Sequence, residues 1–171
     1  RYAIIDEEKY CLNKNYILVD NVLETLQQLA VYHRETLNIP IIGITGSNGK
    51  TTSKELITAC LSTELNTAYT KGNYNNHIGV PLTLLEINYD HEIAIIEMGA
   101  NHQGEIQFLC EIAKPNFGVI TNIGKAHLEG FKNFEGVKKT KKELNDYIKK
   151  VNGLVFINSD DDILNKISKD L

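Results

Sequence analysis

A glycine-rich segment at residues 41–52 carries the residue types that hold phosphate in proteins. It reads Ile-Ile-Gly-Ile-Thr-Gly-Ser-Asn-Gly-Lys-Thr-Thr, and the glycines at positions 43, 46 and 49 would let the backbone curl its N–H groups inward. Lys50 could reach a terminal phosphate, and Thr51 could offer its hydroxyl to Mg²⁺ where a helix begins. The segment therefore predicts a site for ATP and Mg²⁺. The expected nucleotide-binding residues are Gly46, Ser47, Asn48, Gly49, Lys50, Thr51 and Thr52.

The segment departs from the general P-loop pattern at one position. Counting back from Gly49-Lys50-Thr51, the pattern has glycine at position 44, where this chain has Ile44. An ordinary strand-to-helix turn would also use glycine, but it would need neither Lys50 nor a pair of threonines. We therefore favour the phosphate site over a plain turn.

Glu97 stands directly after the apolar run at residues 93–96 and is followed by Met-Gly-Ala. An acid at the end of a strand near a P-loop is placed to hold Mg²⁺ through an oxygen atom. A solvated acid that closes a strand is the commoner fate of glutamate. The apolar run before Glu97 and the glycine after it favour the metal role.

An amide-rich turn precedes the apolar helix start at residues 78–85. Asn73, Asn75 and Asn76 could each donate to and accept from a polar substrate. An Asn-rich turn that caps a helix explains the same residues equally well. His77 alone is a weak signal.

Two further segments carry candidate side chains. His127, in the polar segment at residues 121–130, could complete a second metal site or contact phosphate, although an isolated histidine is more often an ordinary surface residue. The lysine-rich run at residues 138–142 is by default a solvated helix face. One of these lysines could point into the site, but the chemistry of the residues alone does not select it.

The elements that must position these residues alternate as strands and amphipathic helices, which predicts an α/β fold with a mostly parallel sheet flanked by helices. Candidate strands occupy residues 40–45, 67–69, 93–97, 117–121 and 154–158. Apolar helix faces are predicted from Leu56, Ile57, Cys60 and Leu61, from Ile106, Leu109, Cys110 and Ala113, and from Val137, Leu144, Tyr147, Ile148 and Val151. Parallel sheets bind ligands at the carboxyl ends of their strands, where Thr45, Glu97 and Thr121 lie.

The two ends of the chain fit this unit less well. Residues 1–38 offer two short strands, at 2–5 and 16–19, and a helix capped by Asp20 or Asn21. Because this is too little apolar surface for its own core, we expect residues 1–38 to be the remnant of an N-terminal domain and linker. Residues 39–171 would be an incomplete central ATP-binding domain. Its last helix is predicted to be capped by Ser159 or Asp160.

Composition excludes several functions. The 171 residues carry a net charge of −4, which argues against a non-specific nucleic-acid partner. No apolar run reaches membrane-spanning length and no signal peptide opens the chain, so membrane insertion is not expected. The odd number of scattered cysteines suggests a reducing compartment, with Cys60 and Cys110 as core thiols. We therefore expect a soluble, cytoplasmic protein.

Taken together, these motifs resemble the central ATPase domain of the Mur ligase family, a P-loop NTPase-like domain. The matching segments are residues 26–34, 45–52, 73–85, 97–104 and 121–131. Within the family, the motifs at 75–85, 97–100 and 126–129 favour the branch that joins D-Ala-D-Ala to UDP-N-acetylmuramoyl-tripeptide. The resemblance thus implies a peptidoglycan-precursor ligase that works through an acyl phosphate, and a C-terminal ligase domain absent from this chain.

The resemblance also implies roles for individual residues. Lys50 would hold the ATP phosphates, Thr51 and Glu97 a first Mg²⁺, and His127 a second. Lys141 matches a family lysine that is often carbamylated to bridge metal, although Lys142 stands where the family has glycine. Lys50, His127 and Lys141 would then be catalytic. Asn73, Asn75 and Asn76 fall in the segment that meets the muramyl-peptide substrate.

Two alternatives remain open at this point. The chain could belong to another amide ligase of the same type, such as one that adds a single amino acid or a cyanophycin-like synthetase. It could also be a nucleotide-binding regulatory module that never catalyses ligation.

Overall fold

A computed structural model describes residues 2–124 and 133–168 of the chain. The N-terminal strands β1 (Ala3–Ile5) and β2 (Tyr16–Leu18) pair in parallel and flank a short 3-10 helix, Glu8–Tyr10. Helix α1 (Val22–Thr36) follows. Its cap is Asn21, whose side chain accepts hydrogen bonds from the N–H groups of Leu23 and Glu24. Of the two residues that the sequence offers for this cap, the structure uses the second.

A separate parallel sheet of five strands forms the centre of the molecule, which confirms the predicted α/β class. Its order in space is β4-β5-β3-β6-β7. Each predicted strand is present, with ends that agree to within one residue. The strands are β3 (Ile41–Thr45), β4 (Thr67–Tyr69), β5 (Ile93–Glu97), β6 (Phe117–Ile120) and β7 (Leu154–Ile157).

Helices follow most of the strands, as the alternating pattern predicts. They are α2 (Lys50–Leu61), α3 (Gly79–Glu86), α4 (Glu105–Ala113), α5 (Phe134–Lys150) and α6 (Asp162–Ser168). Strands β5 and β6 lie on opposite sides of β3. The connection after β3 therefore runs to one side of the sheet, towards β4, and the connection after β6 runs to the other side, towards β7. A crevice opens at the carboxyl ends of these strands. This topology brings the predicted strand ends at Thr45, Glu97 and Thr121 to one edge of the sheet.

Helix α5 packs closely against the middle of the sheet because two strands present glycine there. A Cβ added to Gly43 would lie 3.2 Å from Leu144 Cδ1, and one added to Gly118 would lie 3.2 Å from Ile148 Cγ1. Both contacts are tighter than ordinary van der Waals distances. Gly43 therefore serves helix packing within β3, and not the curl of the loop for which the sequence analysis used it.

Helix α1 packs on α3 and α4. The buried Arg34 donates from Nε to the carbonyl of Ala113 and from Nη2 to the carbonyl of Lys114, at 2.9 and 3.2 Å. These hydrogen bonds give partners to backbone carbonyls that have none within the helix at the C-terminal end of α4. Burial lowers the pKa of this guanidinium. Residues before position 38 thus contribute to the same core, and the domain boundary drawn there stays a prediction.

Three predicted details of the helices are wrong. Leu56 and Cys60 of α2 are exposed, because the buried side of the helix is the one that carries Lys54 and Thr58. Val151 is also exposed, just past the end of α5.

The last helix is not capped by either of the two residues predicted for it. Neither Ser159 nor Asp160 caps it, since Asp161 Oδ1 accepts from the N–H groups of Ile163 and Leu164. Cys110, by contrast, is buried as predicted, and burial raises the pKa of its thiol. Within the described ranges, no helix is both long and apolar enough to cross a membrane.

Candidate nucleotide-binding site

Two glycines shape the loop between β3 and α2. Gly46 has φ of 150° and Gly49 has φ of 76°, values that favour glycine. A Cβ at Gly46 would also lie 1.9 Å from Thr121 Oγ1, so no side chain fits there. Gly49 is the N-terminal cap of α2, and a Cβ added there would meet nothing within 4 Å. The first N–H groups of a helix have no partner within the helix. This is the geometry of an anion site.

Lys50 lies at the start of α2 with its ammonium group turned back onto the loop. Lys50 Nζ donates to the carbonyl of Gly46 at 3.0 Å and to that of Ser47 at 3.4 Å. These carbonyls are weak partners compared with a phosphate, so a nucleotide would compete for the ammonium. Thr52 follows in the same first turn and is exposed.

Thr51 and Glu97 are in direct contact. Thr51 Oγ1 donates to Glu97 Oε2 at 2.9 Å, and only 1% of the Glu97 surface is exposed. A hydroxyl and a carboxylate are the hard oxygen ligands that Mg²⁺ prefers, and Mg²⁺ is commonly held by one carboxylate together with substrate phosphates. In the described part of the chain, no cluster of three or more His, Cys, Asp and Glu residues could hold a metal. The pair therefore fits a Mg²⁺ that arrives with a nucleotide.

The second carboxylate oxygen of Glu97 is held by Asn75. Asn75 Nδ2 donates to Glu97 Oε1 at 2.8 Å, and the Asn75 carbonyl accepts from the N–H of Gly99 at 2.7 Å. A Cβ at Gly99 would lie 2.9 Å from Asn75 Oδ1, which explains glycine in the Glu-Met-Gly motif. Asn75 thus orients the acid, a contact that sequence reasoning did not foresee.

Asn76 acts at the start of α3, where Asn76 Oδ1 accepts from the N–H groups of Ile78 and Gly79 at 3.0 and 2.8 Å. For this oxygen the helix-capping alternative applies. Asn73, Asn75 and Asn76 nevertheless line one cavity of about 390 Å³ together with Lys50. Their contact with a substrate stays a prediction.

Asn122 holds the loop from the neighbouring strand end, a role that was not predicted from the sequence. Its carbonyl accepts from the N–H of Ser47 at 3.0 Å, and Asn122 Oδ1 accepts from the N–H of Asn48 at 3.1 Å. Two loop amides, those of Ser47 and Asn48, are therefore already paired with Asn122 in this arrangement. The only sequence signal was an asparagine directly after a strand of the site.

Lys141 is the lysine of the charged run that faces the cavity. It lines the same space as Lys50, with 3% of its surface exposed. Burial, and secondarily the charge of Lys50, lower the pKa of Lys141 to about 8, while Glu143 and Glu105 oppose that shift. An amine with this pKa is partly neutral near physiological pH. His127 lies outside the described residues.

A parallel sheet with a glycine-rich anion loop, a lysine and a Thr-Glu pair defines the class of nucleotide-binding α/β domains. The chain belongs to the Mur ligase family, since the model of the Mur ligase middle domain matches residues 44–171. This confirms the resemblance found in the sequence.

Curated relatives carry the name UDP-N-acetylmuramoyl-tripeptide--D-alanyl-D-alanine ligase. The Bacillus subtilis (strain 168) protein is 45% identical over 145 residues, which cover 85% of this chain and 32% of that protein. The Escherichia coli (strain K12) protein is 40% identical over 144 residues, which cover 84% of this chain and 32% of that protein. The chain thus spans about a third of the length of these relatives.

Solved structures agree with the sequence comparison. MurF ligase from Thermotoga maritima in complex with ADP superposes with a TM-score of 0.86 at 34% identity, over 96% of this chain and 38% of that one. MurF from Acinetobacter baumannii gives a TM-score of 0.83 at 39% identity, over 90% of this chain and 34% of that one.

Proposed function

We propose that this chain is the ATP-binding part of a ligase that joins D-Ala-D-Ala to UDP-N-acetylmuramoyl-tripeptide. The observation that carries the proposal is the meeting of Lys50 and Lys141 at one cavity, whose lining residue Asn75 is bonded to the acid of the Thr51-Glu97 pair. The chain is also 45% identical over 145 residues to a curated ligase of that name. The bound ADP in the Thermotoga maritima relative supports nucleotide binding by the loop.

The reaction requires a carboxylate and an amine to be joined. The terminal carboxylate of the tripeptide attacks the γ-phosphorus of ATP, which gives an acyl phosphate and ADP. The amine of D-Ala-D-Ala then attacks the acyl carbon, phosphate leaves, and the amine loses a proton to a base. Lys50 and the first amides of α2 would bind the phosphate oxygens and offset the charge that builds on the transferring group. Thr51 and Glu97 would hold Mg²⁺, which adds Lewis-acid stabilisation when bound.

Lys141 has the properties of a lysine that reacts with carbon dioxide. A neutral amine adds to CO₂ and loses a proton, which leaves a carbamate that could bridge to metal. Burial and the neighbouring Lys50 favour the neutral amine that this reaction needs. We propose Lys141 as this group, His127 as the ligand of a second Mg²⁺, and Asn73, Asn75 and Asn76 as contacts to the muramyl peptide. A cytoplasmic location is proposed from the similarity to the curated ligases.

The test is a ligation assay with the full-length protein. Incubation with ATP, Mg²⁺, the UDP-muramyl-tripeptide and D-Ala-D-Ala should give the pentapeptide product and ADP in equal amounts, measured by mass spectrometry. Single amino acids offered in place of the dipeptide should give no product. Efficient use of a single amino acid would favour the alternative ligase, and nucleotide binding without product from any amine would favour the regulatory module.

A further inference from the structure

Helix α2 carries a fully buried lysine that the proposed chemistry does not use. None of the surface of Lys54 is exposed, so its ammonium group cannot reach nucleotide or substrate. Lys54 Nζ donates to the carbonyl of Thr70 at 2.6 Å and lies 2.8 Å from Glu55 Oε1. It also stands 5.7 Å from the ring centre of Tyr69.

Burial of an ammonium group in a core position carries a large desolvation free energy. Apolar residues of similar volume often replace buried ion pairs with no loss of stability. The partner Glu55 is half exposed, and ion pairs of that kind contribute little. The hydrogen bond that remains is the one from Lys54 to the carbonyl of Thr70, which follows the end of strand β4.

Thr70 connects Lys54 to the metal-binding acid. Thr70 is fully buried, and its Oγ1 accepts the backbone N–H of Glu97 at 2.9 Å. The N–H of Thr70 in turn donates to the carbonyl of Ile95 at 3.0 Å. Thr70 is therefore hydrogen-bonded to strand β5 at two places, the Ile95 carbonyl and the Glu97 N–H.

The same helix reaches Glu97 twice. Thr51, at the start of α2, donates to the carboxylate itself, and Lys54, three residues later, reaches the backbone of Glu97 through Thr70. Residues three apart on a helix share one face, so the two contacts form a bracket around the acid. Rotation or lift of α2 would disturb both contacts together.

We propose that Lys54 is a positioning residue that sets the place of Glu97 relative to Thr51, and thereby the affinity of the site for Mg²⁺ with nucleotide. The inference rests on the proposed nucleotide-binding function. It predicts that removal of the ammonium group changes the backbone at Glu97 before any ligand binds. A lysine that only stabilised the core would not have that local effect.

The experiment compares Lys54→Met with Glu55→Gln in the full-length protein. Hydrogen exchange at the Glu97 amide, in protein free of metal and nucleotide, should accelerate about fivefold to tenfold in Lys54→Met, as expected for the weakening of one buried hydrogen bond. The Mg²⁺ concentration for half-maximal ATP binding should rise by a similar factor, while ATP binding in EDTA stays unchanged. Glu55→Gln, which leaves the Thr70 contact in place, should match the wild type in all three measurements.

A second pair of variants tests the connection through Thr70. Thr70→Val removes the acceptor for the Glu97 amide and should raise the Mg²⁺ requirement, whereas Thr70→Ser keeps the hydroxyl and should restore it. Because the two residues act in one chain of contacts, Lys54→Met should add nothing further in the Thr70→Val background. If Lys54→Met does not fold, Lys54→Gln replaces it in both comparisons.

Two outcomes would overturn the inference. One is a Lys54→Met protein of altered stability with wild-type exchange at Glu97 and wild-type Mg²⁺ dependence. The other is full additivity of the Lys54 and Thr70 effects. A wild-type protein that binds no nucleotide in Mg²⁺ would contradict the proposed function instead, and hydrogen exchange at Glu97 would still decide the role of Lys54.

Discussion

Asn122 pairs with Asn48 through both ends of its side-chain amide. Asn122 Oδ1 accepts from the Asn48 N–H at 3.1 Å, and Asn122 Nδ2 donates to the Asn48 carbonyl at 2.9 Å. Thr121 Oγ1 donates to the same carbonyl at 2.7 Å. The end of β6 thus fixes the loop before any phosphate arrives, which reduces the ordering cost of nucleotide binding.

Substitution of Asn122 by Asp should weaken nucleotide binding. Aspartate keeps the acceptor for the Asn48 N–H, but its second oxygen would face the Asn48 carbonyl and repel it. Loss of one hydrogen bond and the repulsion should lower ADP affinity by about tenfold or more in calorimetry. Thr121→Val, which removes one contact to the loop and adds no charge, is the control and should show a smaller loss.

Lys50→Ala should weaken nucleotide binding about tenfold to a hundredfold and leave the fold intact. The ammonium group contacts loop carbonyls and not the apolar core. Loss of a charge-assisted contact to phosphate costs about 1.5–3 kcal/mol. Titration with ATP and a thermal melt of the same sample check both parts. ATP affinity equal to that of the wild type would refute the role of Lys50.

The fold could be predicted from the sequence because its signals are local. The apolar strands and the loop at residues 45–52 can be recognised from periodicity and residue type within a few positions. Arg34 and Asn122 gave at most a weak local signal, because their hydrogen-bond partners lie 79 and 74 residues away in the chain. Their roles follow from the order of strands in the sheet, which no local pattern encodes.

The error at α2 has a related cause. Leu56 and Cys60 looked like core residues because apolar side chains usually point inward. The contact between Thr51 and Glu97 fixes the rotation of the helix instead and turns the polar residue Lys54 to the sheet. Here the geometry of the site, and not the apolar pattern, determines the rotation of the helix, and two apolar side chains are left exposed.

Glu97→Gln should remove the Mg²⁺ dependence of nucleotide binding. Glutamine keeps the size of the side chain and can still bond to Asn75 or Thr51, so the fold should persist. It lacks the negative charge that a hard cation needs. ATP affinity should then be the same in Mg²⁺ and in EDTA. Glu92→Gln, an acid bonded to Asn66 just before the other end of β5, serves as the control and should keep the dependence.

Lys141→Met should stabilise the protein below about pH 8. The pKa of Lys141 falls from an ordinary 10.5 to about 8 in the folded chain, chiefly through burial. Each pKa unit corresponds to about 1.4 kcal/mol, so protonation of this buried amine costs the fold at most about 3 kcal/mol. Below pH 8 both states carry the proton and the full cost applies. Between pH 8 and 10.5 the unfolded chain binds more protons, so stability rises with pH.

Urea unfolding of the wild type and Lys141→Met from pH 6 to 10.5 measures this difference. The free energy of unfolding of the variant should exceed that of the wild type by up to about 3 kcal/mol at pH 7. This difference should shrink steadily above pH 8, because the buried amine of the folded wild type is then increasingly neutral. Lys139→Met, on the exposed side of the same helix, should differ from the wild type by less than about 0.5 kcal/mol at every pH. A constant difference between wild type and Lys141→Met across the whole range would show that the amine titrates as an ordinary lysine, and the neutral form required for carbamate formation would then be rare at physiological pH.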